Sequence, residues 1–106
     1  MAEYLVANFT VTNWEGYKTY LRTVVPTLKA YGAEILVAEY ESEAMEGEPG
    51  EITMVFKFAS RETLYGWYNS PEYQKIVHLR ADNTKGIAVT AGEFDLAKNL
   101  RLLETF

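Results

Sequence analysis

The 106-residue sequence contains no cysteine and only one histidine, His78. The absence of cysteine excludes disulfides, zinc–thiolate sites and thiol nucleophiles. A single histidine argues against a zinc or haem centre held by several histidines, and no glycine-rich phosphate-binding loop is present. We therefore expect neither a metal nor a cofactor.

Basic residues are also scarce, because 15 aspartates and glutamates outnumber 10 lysines and arginines and give a net charge of -5. A nucleic-acid-binding surface needs an excess of positive charge, so we expect no nucleic-acid partner. No apolar run has the length of a membrane span, and the N-terminal residues lack the basic and apolar blocks of a signal peptide. We expect a single domain in a soluble cytoplasmic protein without a membrane partner.

The first third of the chain predicts a strand followed by a helix. Residues 3–11 alternate between apolar and semi-polar side chains, and this period of two is typical of a strand. Apolar residues then recur at helical spacing over residues 14–31. Pro26 lacks a backbone N–H and clashes with the preceding turn, so we predict a kinked or two-part helix. Gly32 provides a C-terminal stop.

The middle of the chain predicts two strands joined by an acidic loop. Residues 34–40 form the second predicted strand, and residues 52–59 are apolar on both faces, which indicates a central strand. Residues 41–51 between them are rich in glutamate and turn-forming residues but lack the spacing of a calcium-binding loop. We interpret this segment as a solvated connection. Residues 86–91 form the last, short predicted strand.

The segment 58–80 predicts two consecutive helices. Ser60 is placed to cap the first helix, and Ser70, Pro71 and Glu72 are three agreeing start signals for the second. The resulting order is strand, helix, strand, strand, helix, strand. This order predicts an α+β, ferredoxin-like split βαβ fold, in which helices cover one face of a four-stranded antiparallel sheet.

The other face of the predicted sheet has no element left to cover it, although it contains apolar residues. An open apolar face on so small a domain is typical of an association surface, so we expect a homodimer that packs sheet face against sheet face. Residues 93–106 form a tail whose leucines have helical spacing. We predict a short helix there, placed on the sheet edge or on the partner subunit.

The segment 58–80 also resembles a family signature. The matching residues are Phe58-Ala59-Ser60-Arg61-Glu62, Trp67-Tyr68-Asn69-Ser70-Pro71-Glu72-Tyr73-Gln74 and Leu79-Arg80, supported by Tyr4-Leu5-Val6-Ala7, Tyr17, Tyr20 and Tyr31-Gly32. On these residues the chain is similar to the domain of unknown function 1330 family over a core of residues 3–92, with residues 93–106 as an extension. The resemblance implies a dimeric α/β barrel with the ferredoxin-like fold, but no established reaction. The wider superfamily includes cofactor-independent monooxygenases, lactone isomerases, polyketide cyclases, haem-degrading enzymes and ligand-sensing domains.

Arg80 is the foremost candidate for a ligand-binding residue. Turned at helical spacing, it falls on one stripe with Tyr73, Ile76 and Val77, where an unpaired guanidinium would be costly. Three interpretations remain open: the side chain extends to solvent from an apolar stem, pairs with a carboxylate as a structural lock, or binds an anionic ligand. His78 falls on the opposite side, so we expect a solvated surface histidine rather than a general base.

Four further residues are candidates for the same ligand site. Tyr68 and Tyr73 flank the break between the two helices, where a hydroxyl often reaches a ligand or solvent. Asn8 lies on the second face of the first strand, where it either hydrogen-bonds a ligand in an inter-sheet cavity or makes a polar contact at the dimer seam. Trp67 is the fourth candidate, with core packing as the alternative for it and for Tyr68.

Two functional hypotheses follow from these residues. In the first, a homodimer binds a small anionic or aromatic organic molecule between the sheet and its helices and performs cofactor-independent isomerisation, cyclisation or oxygenation. In the second, the protein is a non-catalytic ligand-binding or purely structural dimer. No nucleophile, metal set or paired acid and base distinguishes the two, so whether the chain is an enzyme stays open at this stage.

Overall fold

The computed structural model describes residues 1–105, so Phe106 and its part in the predicted tail lie outside the described residues. The elements are, in chain order, β1 (Glu3–Val11), α1 (Trp14–Ala30), β2 (Glu34–Glu39), β3 (Ile52–Phe58), α2 (Arg61–Tyr68), α3 (Pro71–Gln74), α4 (Val77–Ala81), β4 (Thr84–Gly92) and α5 (Leu96–Thr105).

The four strands form one antiparallel sheet in the order β2-β3-β1-β4. This order, with α1 after β1 and α2–α4 between β3 and β4, is the ferredoxin-like split βαβ arrangement, and the predicted fold class is confirmed. The prediction of β3 as a central strand is also confirmed, because it lies between β2 and β1.

The strand register decides which residues face the helices. Phe9 lies opposite Ile52, and Ala7 lies opposite Met54, so the odd residues of β1 share one face with the even residues of β3. The helices cover this face and form the core with it. The largest fully buried side chains are Trp67, Tyr17, Tyr73, Phe58, Ile52 and Leu64.

The opposite face of the sheet displays a row of apolar side chains. Val37 pairs with Val55, Val55 with Val6, and Val6 with Val89, so these four valines cross all four strands in one line. We call this line the valine row. Its two ends are open to solvent, because Val37 is 40% and Val89 is 50% exposed. The predicted apolar open face is therefore present, and Ile87, which pairs with Asn8 on the same face and is 69% exposed, extends it beyond the valine row.

One of the two alternatives predicted for the first helix is wrong. Pro26 lies inside one α-helix from Trp14 to Ala30, so α1 is not divided into two parts, and a kink at Pro26 stays a prediction. The buried stripe contains Tyr17 and Tyr20 before the proline and Leu28 after it. Burying each such side chain stabilises the helix by roughly 1.5–3 kcal/mol, which together outweighs the cost of about 3 kcal/mol for an interior proline.

The predicted end of α1 is confirmed at Gly32. This glycine has a positive φ of 66°, a conformation that other residues adopt at a cost. Its N–H donates to the carbonyl of Lys29 at 3.0 Å, and the N–H of Ala33 donates to the carbonyl of Leu28 at 3.0 Å. These two bonds form a Schellman motif, which satisfies carbonyls that the helix end would otherwise leave unpaired.

The second predicted helix is divided into two short ones. Ser70 caps α3 as expected, since its hydroxyl accepts the N–H of Tyr73 at 3.2 Å. The chain then breaks, and α4 begins at Val77. At the break the N–H of Ile76 donates to the carbonyl of Tyr73, and the N–H of Leu79 donates to the carbonyl of Ile76. Each bond spans three residues, as in a 3₁₀ turn, instead of the four of an α-helix. The apolar spacing stays helical across this break, so periodicity did not reveal it.

The tail forms a helix, as predicted, but the structure does not place it on the sheet edge. None of the residues described in α5 is buried, and Leu100 is 49% exposed. The tail is attached at its start, where the backbone N–H of Glu93 donates to the carbonyl of Ala2 at 3.0 Å. Placement of α5 on a partner subunit stays a prediction.

No helix among residues 1–105 has the length and apolar composition needed to cross a membrane.

Candidate functional site

A cavity of about 190 Å³ lies between the helix-covered face of the sheet and helix α1. Its walls are mainly aliphatic and aromatic side chains of β1, β2, β3 and α1. The lining residues with polar side-chain atoms are Tyr17, Tyr20, Tyr40, Tyr68, Tyr73 and Arg80. An apolar cavity with a few convergent polar groups is typical of a small-molecule site.

Two tyrosines enter the cavity from α1 because they belong to its buried stripe. Tyr17 and Tyr20 are three residues apart, so their rings lie on one side of the helix, stacked with centroids 5.7 Å apart. The hydroxyl of Tyr20 lies 2.9 Å from that of Tyr73, and these two groups share a buried hydrogen bond. The bond connects α1 to α3 across the cavity wall.

Tyr73 is held from several sides. It is 1% exposed, and its ring centroid lies 4.0 Å from that of Trp67. Ser70 fixes the backbone of the same turn by accepting the N–H of Tyr73. A side chain packed this closely cannot leave its rotamer without disturbing the core, so its hydroxyl is a fixed point of the site.

Arg80 reaches the cavity from α4 and is half-buried. Its Nε donates to the hydroxyl of Tyr73 in a long hydrogen bond of 3.4 Å. Within residues 1–105, the ion pairs join Lys18 to Glu15 and Arg61 to Glu3, and neither involves Arg80. Among the three interpretations of Arg80, the described residues therefore offer no carboxylate for a structural lock.

Three tyrosines of the cavity, Tyr17, Tyr20 and Tyr40, remain protonated at neutral pH. Burial is the main cause that raises the pKa of both Tyr17 and Tyr20 far above the ordinary value of 10, and the neighbouring Tyr73 raises the pKa of Tyr20 further. Burial also raises the pKa of Tyr40. These hydroxyls can donate hydrogen bonds, but they cannot serve as bases near pH 7.

Arg80 remains positively charged in this environment. Burial alone lowers the pKa of its guanidinium, but the hydrogen bond to Tyr73 and the nearby tyrosine oxygens raise the pKa by more. The site thus combines one fixed cation with several neutral hydroxyl donors. This combination stabilises negative charge on a ligand, or negative charge that develops on an oxygen during a reaction.

The structure brings three of the five predicted site residues together. Tyr68, Tyr73 and Arg80 all line the cavity. Trp67 is fully buried behind Tyr73 and does not line the cavity. Its indole N–H donates to the hydroxyl of Thr27 at 3.0 Å within the core. For Trp67 the structure therefore agrees with the alternative of core packing.

Asn8 lies away from the other candidates, on the open face of the sheet. Its amide nitrogen lies 3.0 Å from the carbonyl of Gly50 and 3.1 Å from the hydroxyl of Thr53, and its amide oxygen accepts the N–H of Gly50 at 2.8 Å. These bonds fasten the end of the loop that precedes β3. Asn8 thus bonds its own chain and does not share the cavity of Arg80, so the prediction that it belongs to the same ligand site is wrong.

The sequence did not single out the α1 tyrosines or Tyr40 for the site. Tyr17 and Tyr20 fit the helical stripe as well as leucine would, so they were assigned to the core. The available signal was chemical, because each brings a hydroxyl that needs a partner when it is buried. Tyr40 directly follows β2, so the alternation of the strand no longer predicts on which face of the sheet its side chain lies.

The prediction of a solvated His78 is confirmed, because this residue is exposed on α4. Residues 1–105 contain no group of three or more histidines, cysteines, aspartates or glutamates arranged to hold a metal ion.

Comparison with known families gives one match over most of the chain. The profile of DUF1330, described as a domain of unknown function, matches residues 2–92. The match ends at the last residue of β4, so α5 lies beyond it. No curated protein shows significant sequence similarity to the chain.

Solved structures share the fold at low sequence identity. RPA0582 from Rhodopseudomonas palustris, a protein of unknown function, is 12% identical with a TM-score of 0.68, over 88% of this chain and 84% of that one. SnoaB, a cofactor-independent oxygenase from Streptomyces nogalater, is 8% identical with a TM-score of 0.58, over 89% and 94% of the two chains. The de novo designed protein Foldit4 is 14% identical with a TM-score of 0.58, over 89% and 100%. A fold shared by an oxygenase and a designed protein does not identify an activity, so the function must be argued from the cavity.

Proposed function

The chain belongs to the DUF1330 family, whose description gives no activity, and we propose that it is a homodimeric protein that binds a small organic anion. The ligand has an apolar or aromatic body, which occupies the cavity between the sheet and α1. Its negative charge lies at the guanidinium of Arg80.

The observation that supports this proposal most directly is the environment of Arg80. A half-buried cation has lost part of its hydration, and this loss is normally compensated by a carboxylate. Arg80 has instead a tyrosine hydroxyl at 3.4 Å and a cavity beside it whose other polar side-chain atoms are neutral tyrosine hydroxyls. An anionic ligand would supply the missing compensation, because hydrogen bonds between a guanidinium and an oxyanion are among the strongest in proteins.

The homodimer in this proposal is supported by the valine row. A second copy presents the same row, and two such stripes related by a two-fold axis can cover each other. Small soluble monomers rarely expose a continuous apolar stripe of this kind. The cavity lies on the other face of the sheet, between the sheet and its own helices, so it stays open to ligand in such a dimer.

A thermal-shift screen tests the proposal. Aromatic and aliphatic carboxylates, phenols and lactones are added to the wild type, to Arg80→Ala and to Arg22→Ala. Arg22 is an exposed arginine of α1 and controls for the loss of one positive charge. A ligand at about 100 times its dissociation constant adds about 2.7 kcal/mol of stability and shifts the midpoint by several degrees.

We expect anionic compounds to shift the wild type and the Arg22→Ala variant, and to lose this effect in Arg80→Ala. The proposal fails if no compound shifts the wild type. If Arg80→Ala also melts far below the wild type in that case, Arg80 is a structural residue, and the alternative of a structural dimer applies.

A second candidate function is catalysis without a cofactor, namely isomerisation, cyclisation or oxygenation. One observation favours it: a fixed cation beside neutral tyrosine donors is suited to stabilise an enolate or phenolate oxygen. The fold-level likeness to a cofactor-independent oxygenase agrees with it but adds only analogy. The raised pKa values of Tyr17, Tyr20 and Tyr40 leave these three hydroxyls unable to act as bases near pH 7, so this candidate calls for a substrate that ionises readily by itself.

Turnover assays on the compounds that bind distinguish this candidate from binding alone. Oxygen consumption and the absorbance of each hit are followed with the wild type and with Arg80→Ala. Conversion that depends on Arg80 would show an enzyme, whereas binding without conversion would show a ligand-binding protein.

A further inference from the structure

The chemical class of the ligand can be narrowed from the groups that line the cavity. Building on the function proposed above, we infer that the cavity selects a monocarboxylate with an otherwise hydrocarbon body. The two terminal nitrogens of Arg80 hold the carboxylate end-on, and Tyr73 acts as a positioning residue that orients the guanidinium.

The first argument is the charge content of the cavity. Apart from Arg80, its lining contains no aspartate, glutamate, lysine, histidine, amide or aliphatic hydroxyl side chain. A ligand can therefore place one negative group in the cavity with a partner of opposite charge. A second carboxylate would have no further cation, and the ammonium group of an amino acid would have no carboxylate. Burying either group unpaired is costly.

The second argument is the orientation of the guanidinium. A carboxylate can bind an arginine side-on, through Nε and one terminal nitrogen, or end-on, through both terminal nitrogens. The Nε of Arg80 already donates to Tyr73, so the side-on mode would compete with this bond. The end-on mode leaves it intact and gives two parallel hydrogen bonds to a planar carboxylate.

The third argument is the rigidity of Tyr73. Its ring is packed against Trp67, and its hydroxyl also bonds that of Tyr20 at 2.9 Å. A flexible arginine attached to such a fixed hydroxyl loses less freedom when the ligand binds, and preorganisation of this kind increases affinity. Tyr73 therefore acts on the ligand through Arg80.

The volume of the cavity limits the body of the ligand. A dry apolar cavity of about 150 Å³ in another protein binds benzene. The cavity here measures about 190 Å³, which suits one aromatic ring with a short chain that ends in the carboxylate. Aliphatic acids of similar size fit the same description.

A matched series of probes tests the inference by calorimetry on the full-length protein. The reference is 3-phenylpropionate. The comparison probes are 3-phenylpropionamide, which lacks the charge, phenylalanine, which adds an ammonium, and phenylsuccinate, which adds a second carboxylate. We expect each comparison probe to bind about 10-fold more weakly than the reference or worse, since one unpaired polar group costs at least this much.

Variants then test the two residues. Arg80→Gln should weaken 3-phenylpropionate about 10- to 100-fold, and Arg80→Lys, which keeps the charge but loses the paired donors, should recover only part of the affinity. Tyr73→Phe should weaken the binding of 3-phenylpropionate about 3- to 10-fold, because the guanidinium of Arg80 is then no longer oriented by the Tyr73 hydroxyl. Tyr65→Phe is the matched control, because it removes a tyrosine hydroxyl that lies outside the cavity, 3.4 Å from the hydroxyl of Thr90.

The affinity ratio of 3-phenylpropionate to its amide separates positioning from general damage. We expect Tyr73→Phe to reduce this ratio, whereas a loosened core would weaken both probes equally. Tyr73→Phe also distinguishes the two modes, because it frees Nε: unchanged or tighter binding of 3-phenylpropionate would indicate the side-on mode and overturn the end-on one. If Tyr73→Phe fails to fold, equal affinities of Arg80→Lys and Arg80→Gln would show that the charge of Arg80 does not hold the carboxylate, which overturns the inference.

The outcomes also separate this inference from the proposed function. If phenylsuccinate binds as tightly as 3-phenylpropionate and loses affinity in Arg80→Gln, the cavity still holds an organic anion, and only the selection of a monocarboxylate is overturned. If none of the four probes binds the wild type and the thermal-shift screen finds no other anion, the proposed function fails together with the inference.

Discussion

Arg80 shows a conflict between stability and function at the scale of one residue. Its guanidinium lies at a largely apolar cavity and, within residues 1–105, bonds a tyrosine hydroxyl and forms no ion pair. A protein selected for stability alone would gain by replacing such a cation with an apolar side chain of similar shape. We therefore attribute the charge to ligand binding, and the following prediction tests this.

Arg80→Met keeps the length of the side chain and removes the charge. We expect the free energy of unfolding to remain the same or to rise by up to about 1 kcal/mol, because the stem still packs and a desolvated charge is lost. Tyr73 keeps its bond to Tyr20 in this variant. Denaturation in urea measures the difference.

Arg61→Met serves as the comparison for that experiment. It breaks the ion pair at 3.6 Å with the largely buried Glu3, so it should cost about 0.5–1 kcal/mol. If Arg80→Met instead costs more than about 2 kcal/mol, Arg80 stabilises the fold and our interpretation of its charge is wrong.

The buried tyrosines predict how stability depends on pH. Burial, followed by the influence of Tyr73, raises the pKa of Tyr20 above its ordinary value of 10, and burial raises that of Tyr17. Below pH 10 the folded and unfolded chains both keep these protons, so the stabilisation is fully present. As the pH rises above 10, the unfolded chain releases protons that the folded chain retains, and the free energy of unfolding falls.

We expect a flat stability profile between pH 8 and about pH 10 and a decline above it of about 1.4 kcal/mol per pH unit for each such tyrosine. Tyr20→Phe should make the decline above pH 10 shallower by about 1.4 kcal/mol per pH unit, the contribution of one tyrosine. Urea denaturation at several pH values measures it, with tyrosine absorbance as a second signal. An unchanged slope in Tyr20→Phe would show that Tyr20 ionises in the folded protein.

Single residues could be predicted from the sequence where they broke a pattern. Arg80 was recognisable because a cation stood in an apolar stripe, and the structure places it at the cavity. Tyr17 and Tyr20 were not recognisable, because a tyrosine continues an apolar stripe as well as a leucine. Asn8 was correctly placed on the second face of β1, but its partners lie 42 or more positions away along the chain, so spacing could not identify them.

At the scale of elements, periodicity and end signals located most helices and strands. β1 matches the predicted 3–11, and the caps at Ser60, Ser70 and Gly32 lie where the sequence placed them. Two expectations were wrong, namely a helix in two parts at Pro26 and an unbroken helix after Pro71. A proline is locally unfavourable inside a helix, but buried residues on both sides of Pro26 hold α1 together as one helix.

The loop of residues 41–51 depends on Asn8 for its attachment to the sheet. The loop returns so close to β1 that a Cβ at Gly50 would clash with the backbone of Phe9. Asn8→Ala removes the amide that fastens this return, and we expect it to lower the free energy of unfolding by about 2–3 kcal/mol. Denaturation measures the loss, and hydrogen exchange of the Gly50 amide should accelerate.

Thr53→Val provides a graded comparison, because it removes only the hydroxyl contacts to Asn8 and Ser42, for an expected cost of about 1 kcal/mol. Ligand affinity should not change in either variant, since the cavity lies on the other face of the sheet. If Asn8→Ala lowers ligand affinity but leaves stability unchanged, Asn8 contributes to ligand binding and our interpretation of its role is wrong.

At the scale of the whole molecule, apolar side chains are exposed both on helix α5 and on the open face of the sheet. The chain measures 49 × 34 × 19 Å with a radius of gyration of 15.3 Å, above the value of about 13 Å for a compact domain of this size. The projecting helix α5, with Leu96 61% and Leu103 68% exposed, forms one surface. The valine row forms the other. The sequence predicted the open sheet face as an association surface and the tail helix on the sheet edge or on the partner subunit, but one chain alone could not show where a second copy lies.

The valine row predicts the effect of one added charge on assembly. In a dimer that packs sheet face against sheet face, a lysine at position 89 would face the partner's valine row without a counter-ion, and burying it would cost several kcal/mol per dimer. We therefore expect the wild type to elute as a dimer in size-exclusion chromatography with light scattering, and Val89→Lys to elute as a monomer with an intact far-ultraviolet circular dichroism spectrum. Met45→Lys adds the same charge in the loop, where Met45 is 95% exposed, and should remain a dimer. A monomeric wild type, or a Val89→Lys protein that stays dimeric, would show that the valine row is not the interface, and the search for one would then move to α5.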